Sequence, residues 1–227
     1  MSQPAGDGSW ADLLRRFEPR RRRPVPSPID PSSLDADPLR QFMSWLEEAV
    51  RSPDVVQPLG MTLATVDAEG RPSARIVLLR GIEEGTLVFY TNYESRKGRD
   101  LEIHPRAALV FWWPELDRQV RLEGNVRRMP EAASDAYFRQ RPSASRFSAA
   151  ASPQSEAIGS REELELRVRE LTRRHPDGDL PRPAFWGGYR LEPDLIEFWQ
   201  EGLSRLHDRF VYRREPKGSW RIERLAP

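Results

Sequence analysis

Apolar residues recur at helical spacing in one segment near the start of the chain. They lie three or four positions apart, as they do on the buried face of an α-helix. These residues are Leu39, Phe42, Met43, Leu46 and Val50. Asp37 can cap the first turn, and Pro38 suits the first helical position. The pattern therefore predicts a helix that begins after Asp37 and packs on a core through this apolar face.

From residue 61 onward, apolar positions alternate with polar ones, which is typical of β-strands with one buried face. Nine strands are predicted, at residues 61–66, 74–79, 86–90, 107–113, 120–128, 188–191, 196–199, 209–213 and 220–225. Short helices are predicted between them, at residues 95–104, 134–141 and 161–174. Many short antiparallel strands favour a mainly β fold of the α+β class, a β-barrel with peripheral helices. Since no Gly-x-Gly-x-x-Gly motif follows a strand, a Rossmann nucleotide site is not expected.

Composition narrows the class of protein further. The 227 residues suffice for one domain, and a net charge of +1 gives no overall attraction to nucleic acid or membranes. The absence of cysteine excludes disulfides and fits a reducing cytoplasm. No apolar run approaches a membrane span, and no secretory signal is recognisable. The three histidines lie far apart, so no metal site is expected.

The first 33 residues differ in composition from the rest of the chain. They are rich in Pro, Gly, Ser and Arg, which bury too little apolar surface to offset the entropy of ordering. We predict a mobile arm at residues 1–33 and a folded domain at residues 34–227. The four arginines at 20–23 are typical of a solvated tail, although an arm that grips nucleic acid or phosphate stays open.

Two segments carry cations in positions that suit phosphate. Arg75 and Arg80 bracket an apolar strand and are five residues apart, so in a regular strand they point to opposite faces. Thr91 ends another strand, and Arg96 and Lys97 open the helix that follows. A hydroxyl, two cations and the free N–H groups of a helix N-terminus would cradle a phosphate. Charged strand ends and a capped surface helix are the structural alternatives.

A third group combines a phenol, a guanidinium and a hydroxyl. Tyr137, Arg141 and Ser145 follow one another at intervals of four and could converge on one phosphate. Because Pro142 ends the predicted helix, Ser145 is expected on the loop that follows. An ordinary surface helix end would have the same sequence.

Residues 197–209 form the densest cluster. Arg205 and Arg209 bracket His207 and Asp208, and Trp199 precedes them. Arginine binds anionic groups, and histidine is the side chain that titrates near neutral pH. A lone histidine is more often structural, but these neighbours favour a functional one.

Polar amides elsewhere give weaker signals. Gln119 offers a donor and an acceptor together, which suits the edge of a flavin or a pyrimidine. Gln154 and Ser155 lie in a polar loop that is uninformative by itself.

Eleven short motifs occur in a characteristic order between residue 37 and residue 227. They are DPLRQF, LATVD, RIVLLR, FYTNYESRKG, RQVRLEG, YFRQRP, SPQS, WGG, EFWQ, RLHDR and RLAP. In this order the chain resembles the pyridoxine/pyridoxamine 5′-phosphate oxidase family. The resemblance implies an FMN-binding split β-barrel of the antiparallel Greek-key type, in a homodimer with FMN at the subunit interface.

The resemblance also implies a role for particular residues. FMN contacts would be Arg75, Ile76, Val77, Leu78, Leu79, Arg80, Tyr90, Thr91, Arg96, Lys97, Gln119, Gln154, Ser155, Trp199 and Arg209. Substrate contacts would be Arg80, Tyr137, Arg141, Ser145, Arg205, Leu206 and His207. Arg205 and His207 would be catalytic and would orient the substrate over the flavin. The implied reaction is a step of vitamin B6 biosynthesis or salvage. In it the substrate C4′ gives a hydride to flavin N5, after which O2 reoxidises the flavin and H2O2 is released.

Three departures from the family pattern bear on the substrate. Arg80 stands where the family commonly has lysine, and residues 146–151 replace a run that usually contains tryptophan. Glu201 and residues 203–204 depart from a Gly-Gly-Glu-His run that some members have. A planar guanidinium and an ammonium hold phosphate with different geometry. Two alternatives therefore stay open: a related flavin oxidase of another ring substrate, as in phenazine biosynthesis, and a non-catalytic protein that binds FMN or pyridoxal 5′-phosphate.

Overall fold

The structure, a computed structural model, describes residues 24–227. In this range the α-helices are α1 Pro38–Arg51, α2 Arg96–Ile103, α3 Glu131–Gln140, α4 Ser143–Ala151 and α5 Arg161–Arg174, and short 3-10 helices lie at Pro31–Ser33, Pro114–Leu116 and Leu203–Arg205. The strands are β1 Gly60–Val66, β2 Pro72–Leu78, β3 Gly81–Glu83, β4 Thr86–Asn92, β5 Arg106–Trp113, β6 Arg118–Arg128, β7 Trp186–Gln200, β8 Asp208–Arg214 and β9 Trp220–Arg224. None of the helices in the described range is long and apolar enough to cross a membrane.

The described strands form one antiparallel sheet in the order β2-β1-β5-β6-β7-β4-β3, and β8 and β9 continue from β7. Strand β7 pairs with β6 through its residues 189–200. Its residues 186–191 also pair with β4, and its residues 195–200 pair with β8. A bulge at Gly124 interrupts the β6–β7 register, and bulges of this kind bend a sheet. The prediction of a mainly β fold with peripheral helices is confirmed.

Local chemistry explains the ends of the first elements. Asp37 adopts an extended conformation and its carboxylate accepts a hydrogen bond from Leu39 N at 2.9 Å, so helix α1 begins there. At the β1–β2 turn, Asp67 Oδ1 accepts from Glu69 N and Arg71 N. Gly70 supplies the positive φ of 79° that this tight turn requires.

The main core lies between α1 and the sheet. Phe42 meets Phe111 of β5 with ring centroids 5.0 Å apart, and Trp45 meets Phe198 of β7 at 5.2 Å. A smaller core forms where α3, α4 and α5 cover the start of β7, around Phe138, Phe147, Leu180 and Trp186. Burial of these large side chains stabilises the fold by roughly 2 kcal/mol each.

The segment before α1 lies against the β7–β8 end of the sheet. Ile29 N donates to Asp208 Oδ2 at 2.8 Å, and Gln200 Nε2 donates to the carbonyl of Ser27 at 2.9 Å. Tyr212 Oη donates to the carbonyl of Asp35 at 2.8 Å. The proposed arm at residues 1–33 stays a prediction, and its arginines at 20–23 lie outside the described residues.

Several expected boundaries differ from those observed. The predicted strands at 188–191 and 196–199 are one strand, because Pro193 pairs with Gly124 at the bulge, where its missing N–H is tolerated. Met43 and Val50 were expected in the core but are 40% and 55% exposed. They follow Phe42 and Ala49 by one residue, which rotates them about 100° away from the buried face.

One strand and one α-helix of the described range were not predicted. Strand β3 has only three residues, and its pattern is too short to recognise. Helix α4 begins directly after Pro142, so Ser145 lies in a helical first turn and its expected loop position is wrong. Pro142 ends α3 but precedes a run of alanine and serine that is competent to form a new helix.

Gly98 gives a test of the packing at the start of α2. A Cβ atom at this position would lie 2.0 Å from the backbone oxygen of Tyr93. Although alanine favours helix, the clash would dominate, and we expect Gly98→Ala to lower the free energy of unfolding by about 1–3 kcal/mol in a urea titration.

The matched control for Gly98→Ala is Gly159→Ala. There a Cβ would meet only the flexible Glu163 carboxylate, at 3.3 Å. We expect a change within about 0.5 kcal/mol for this control. Equal effects of the two substitutions would contradict the proposed clash.

Candidate functional site

One cavity of about 650 Å³ collects most of the predicted phosphate-binding residues. It lies between β2, β4, the start of β7 and helices α2 and α4. The predicted residues that line it are Ile76, Val77, Leu78, Arg80, Tyr90, Thr91, Lys97, Arg141, Ser145 and Gln154. Small side chains of α4, among them Ala144, Ser148 and Ala149, form one wall. The sequence-based candidates from four separate segments thus meet in one place.

The N-terminus of α2 forms a polar cradle at one end of this cavity. Ser95 caps the helix, and its Oγ accepts from Gly98 N. Lys97 is only 8% exposed, and its Nζ donates to Ser95 Oγ at 3.0 Å and to Gln154 Oε1 at 2.8 Å. Thr91 Oγ1 donates to the same Gln154 oxygen at 3.3 Å. Backbone N–H groups, a hydroxyl and an ammonium therefore converge, as an anion site requires.

Electrostatics favour an anion beside Lys97. Burial and, to a smaller extent, the Arg75 guanidinium lower the pKa of Lys97 to about 8, against the opposite effect of Asp100. Burial also lowers the pKa of Arg75, as does the charge of Arg96, and Asp100 again opposes them. A bound anion would relieve the repulsion between these cations.

Arg141 marks the other end of the cavity. Its guanidinium lies over the Trp186 ring at 4.6 Å and over the Phe138 ring at 5.9 Å. The NH1 atom of Arg141 is buried and has no hydrogen-bond partner. Burial and the charge of Arg80 lower the pKa of Arg141, against the opposite effect of Tyr137. A buried N–H donor without a partner is costly, so this end also favours an anion.

Aromatic rings support the Arg141 end. Tyr90 and Tyr137 stack with centroids 3.7 Å apart and planes 6° apart, and Trp186 stacks on Tyr90 at 5.5 Å. Burial raises the pKa of Tyr90 to about 12, so its phenol stays neutral. Tyr137 therefore lies behind Tyr90 and does not line the cavity itself.

The remaining residues predicted near the first cluster lie beside the cavity. Arg96 N donates to Ser155 Oγ at 3.2 Å, which fixes the loop after α4 on the start of α2. Arg75 bonds to β1 behind Lys97. Strand β2 ends at Leu78, so the strand alternation does not extend from Arg75 to Arg80. The Leu79 side chain is buried in the core.

The second group of predicted residues lies at the other end of β7. This group contains Gln119, Trp199, Arg205, Leu206, His207 and Arg209, none of which lines the cavity within residues 24–227. Gln119 faces Trp199 across the β6–β7 pair, and the Trp199 and His207 rings are 4.7 Å apart. Leu206 is 72% exposed.

The loop that carries Arg205 and His207 has an unusual backbone. Ser204 and Arg205 adopt left-handed φ values of 53° and 64°. Such strain in residues other than glycine is often found at functional sites. The backbone N–H of Gly202 donates to His207 Nδ1 at 3.2 Å, which leaves the proton of a neutral ring on Nε2.

Arg209 is held by a buried carboxylate. Glu197 is 3% exposed and accepts from Arg209 Nε at 2.8 Å and from Arg121 NH2 at 2.7 Å. Arg209 NH1 also donates to the carbonyl of Ala226. Burial alone would raise the pKa of Glu197, but the two guanidiniums outweigh it and hold the pKa below its ordinary value.

Comparison with known proteins identifies the family. A family model described as pyridoxamine 5′-phosphate oxidase matches residues 47–175, and one described as the pyridoxine 5′-phosphate oxidase C-terminal dimerisation region matches residues 186–227. The pyridoxine/pyridoxamine 5′-phosphate oxidase of Rubrobacter xylanophilus is 53% identical over 91% of this chain and 94% of its own. The chain belongs to the pyridoxamine 5′-phosphate oxidase family.

Two solved structures support the fold of this family. PhzG from Burkholderia lata, solved with tetrahydrophenazine-1-carboxylic acid, superposes with a TM-score of 0.80 at 30% identity, over 88% of this chain and 98% of its own. An FMN-binding protein from Nostoc punctiforme related to pyridoxamine 5′-phosphate oxidase superposes with a TM-score of 0.66 at 20% identity, over 86% and 100%. The predicted FMN-binding split barrel is confirmed.

Family membership indicates an oxidoreductase with FMN as its cofactor. The residues present fit this cofactor, since the α2 cradle offers an ammonium and helix N–H groups to its phosphate. The residues of the described range hold no cluster of three His, Asp or Glu that could bind a metal ion. The C-terminal dimerisation region supports the predicted homodimer.

Four residues of this family member escaped the sequence-based analysis. Trp186 and Glu197 lie within recognised motifs, but neither their cation contact nor their burial is visible in a sequence. Thr65 and Asp100 are 35 residues apart and bond directly at 2.6 Å. The sequence gives one signal for Asp100, since it follows Lys97 by three residues and so lies near it on the same face of a helix.

Glu197 predicts a specific pH dependence of stability. Because folding lowers the pKa of Glu197, its ionised carboxylate stabilises the fold fully above the pKa of glutamate in the unfolded chain, about 4.3. This stabilisation is lost as the pH falls through the pKa of Glu197 in the folded protein. We expect Glu197→Gln to lower the free energy of unfolding by about 1–3 kcal/mol at pH 7, because two half-buried guanidiniums lose their counter-charge. The difference from wild type should shrink below about pH 4.

The control for Glu197→Gln is Glu192→Gln, which removes the half-exposed ion pair with Arg214. Chemical unfolding at several pH values should give a change of at most about 1 kcal/mol for this control. A Glu197→Gln effect that stays constant down to pH 3 would contradict the assignment.

Proposed function

We propose that this protein oxidises pyridoxine 5′-phosphate and pyridoxamine 5′-phosphate to pyridoxal 5′-phosphate. FMN, when bound, would supply the redox chemistry, which is hydride transfer from the substrate C4′ with O2 as the final acceptor and H2O2 as its product. The protein's own contribution is to bind, orient and electrostatically stabilise the two reactants.

One observation carries the proposal: a single cavity has a cationic group at each end. Lys97 and the α2 N-terminus form one end, and Arg141 with its buried unpartnered NH1 forms the other. FMN and a vitamin B6 phosphate each bring one phosphate, so two separate anion sites match two ligands. In this proposal the α2 cradle holds the FMN phosphate.

The substrate phosphate would bind at Arg141. Arg80 and Ser145 line the same cavity and would add a second cation and a hydroxyl. Trp186 lies under the Arg141 guanidinium and restricts its orientation. A guanidinium that is already oriented loses less entropy when it binds a phosphate.

The second group of residues would come from another copy of the chain. Gln119, Trp199 and Arg209 would contact FMN, and Arg205, Leu206 and His207 would contact the substrate, across the two-fold axis of a homodimer. The separation of this group from the cavity within one chain, and the C-terminal dimerisation region, support this arrangement.

Arg205 and His207 would position the substrate ring. Their loop is exposed in the single chain, as an interface segment would be before assembly. With its proton on Nε2, a neutral His207 would donate a hydrogen bond to a ring substituent, and the Arg205 charge would bind its oxygen. Neither residue transfers the hydride.

A second candidate function is oxidation of a different ring compound. It is favoured by the likeness to PhzG, whose structure contains a phenazine precursor without phosphate. The carboxylate of such a ligand could also accept from Arg141 NH1. It carries one negative charge, whereas a phosphate carries up to two for the cations Arg80 and Arg141, which favours the vitamin phosphates.

The direct experiment measures H2O2 production by the FMN-loaded protein. We expect turnover of pyridoxine 5′-phosphate or pyridoxamine 5′-phosphate, and a kcat/KM for unphosphorylated pyridoxine lower by at least about 100-fold, because charge-assisted bonds to the phosphate are lost. Turnover of neither vitamin phosphate by flavin-loaded protein would end the proposal. It would leave the other ring substrate or a non-catalytic carrier.

Two substitutions separate the roles of the proposed groups. Lys97→Ala should weaken FMN binding by about 10- to 100-fold, since it removes one charge-assisted hydrogen bond. Arg205→Met should leave FMN bound and lower kcat/KM for pyridoxine 5′-phosphate by at least about tenfold. Flavin fluorescence titration and steady-state kinetics measure these quantities. Loss of FMN from Arg205→Met with unchanged substrate binding would reverse the assigned roles.

A further inference from the structure

Asp100 is a buried carboxylate behind the α2 cradle that the proposed reaction does not use. It lies on α2, three residues after Lys97, and is 3% exposed. It does not line the cavity. A buried charge is costly unless nearby groups compensate it, so its partners indicate its role.

A chain of two hydrogen bonds links Asp100 to Arg75. Thr65 Oγ1 donates to Asp100 Oδ2 at 2.6 Å, and Arg75 NH1 donates to the same Thr65 oxygen at 2.7 Å. A threonine hydroxyl has a single hydrogen to donate, and here it is donated to the carboxylate, because a carboxylate can only accept hydrogen bonds. The Thr65 lone pairs therefore face Arg75, and Asp100 decides this orientation.

The Arg75 guanidinium is held without using all its donors. NH1 also donates to the carbonyl of Leu63 at 3.1 Å, and NH2 donates to Ser73 Oγ at 2.8 Å. These bonds use three of the five N–H groups of an arginine. The Asp100 carboxylate lies 3.9 Å from NH2, a charge contact without a direct hydrogen bond. Two N–H groups of Arg75 thus have no hydrogen-bond partner among the described residues, at a position beside the cavity lining.

Asp100 also balances charge at the cradle. Arg75 and Lys97 repel one another, and Asp100 favours the charged form of both. The charged groups that act on Lys97 are Arg75 from β2 and Asp100 from α2. Its hydrogen-bond partners, Ser95 and Gln154, do not titrate.

We infer that Asp100 is a positioning residue for cofactor binding: through Thr65 it orients Arg75, and its negative charge balances the cations beside the proposed site of the FMN phosphate. Asp100 does not touch the phosphate. The inference rests on the proposed location of the FMN phosphate at the α2 cradle. It does not depend on which substrate is oxidised, so flavin binding tests it apart from turnover.

The test compares FMN with riboflavin, which has the same ring and no phosphate. Asp100→Asn keeps the size of the side chain and removes its charge. We expect it to weaken FMN binding by about tenfold at pH 8 and riboflavin binding by less than about twofold, as measured by quenching of flavin fluorescence with the apoprotein. An equal loss for both ligands would assign Asp100 a merely structural role and overturn the inference, as would unchanged or tighter FMN binding.

The pH profile gives a second readout. A free Lys97 with a pKa of about 8 must take up a proton to bind the phosphate above that pH, so wild-type FMN affinity should fall beyond pH 8. Without the Asp100 charge this pKa is lower, and the fall should begin at least about half a pH unit earlier. An FMN phosphate is already a dianion over pH 7–9.5, since its second pKa is about 6. Identical profiles would overturn the inference.

Two further variants keep the test decisive. Asp194→Asn makes the same chemical change in the exposed ion pair with Arg106, and it should alter neither flavin affinity nor the pH profile. Thr65→Val removes the linking hydroxyl and should reproduce the selective loss of FMN affinity if Asp100→Asn fails to fold. Wild-type FMN affinity of a folded Thr65→Val protein would overturn the role of the hydroxyl chain.

Discussion

Strand β7 is the constraint on which the rest of the structure depends. It pairs with β6 over residues 189–200, with β4 at its start and with β8 at its end, so it joins the cavity to the loop that follows residue 200. A straight strand of 15 residues would span about 45 Å. Trp186 supports Arg141 at one end, and Trp199 packs on His207 at the other. In the proposed dimer, one copy of the chain would therefore contribute two half-sites, one to each shared site.

Charge balance explains why each half-site is stable before its ligands arrive. Glu197 neutralises Arg121 and Arg209 at the loop end, and Asp100 partly neutralises Arg75 and Lys97 at the cradle. Arg141 has no carboxylate partner among its described contacts and rests on aromatic rings instead. A cation on a ring is held in place but keeps its charge for an incoming anion. At both ends of the cavity, the protein thus holds cations in place without neutralising them fully.

The sequence alone predicts the features that depend on local pattern. The alternation of apolar residues located most strands, and the motif order identified the family and its cofactor. Prediction from sequence failed where a long-range contact decides the outcome, since Pro193 interrupts the pattern of β7 but sits opposite Gly124. It also failed at Pro142, because a proline that ends one helix can directly precede another. The Thr65–Asp100 bond joins two elements that no local pattern relates. Local periodicity carries no information about which buried polar groups will meet.

The most direct test of the shared site is a hybrid dimer, purified through two different tags from cells that make Lys97→Ala and Arg205→Met chains together. If each site takes its cradle from one chain and its loop from the other, one site of the hybrid carries both substitutions and the other carries neither. At an FMN concentration that saturates the wild type but not Lys97→Ala, and at substrate well below KM, we expect about half of the wild-type H2O2 production per hybrid dimer, well above either parent variant. A hybrid no more active than its parents would contradict the shared site, since every site would then contain one defect.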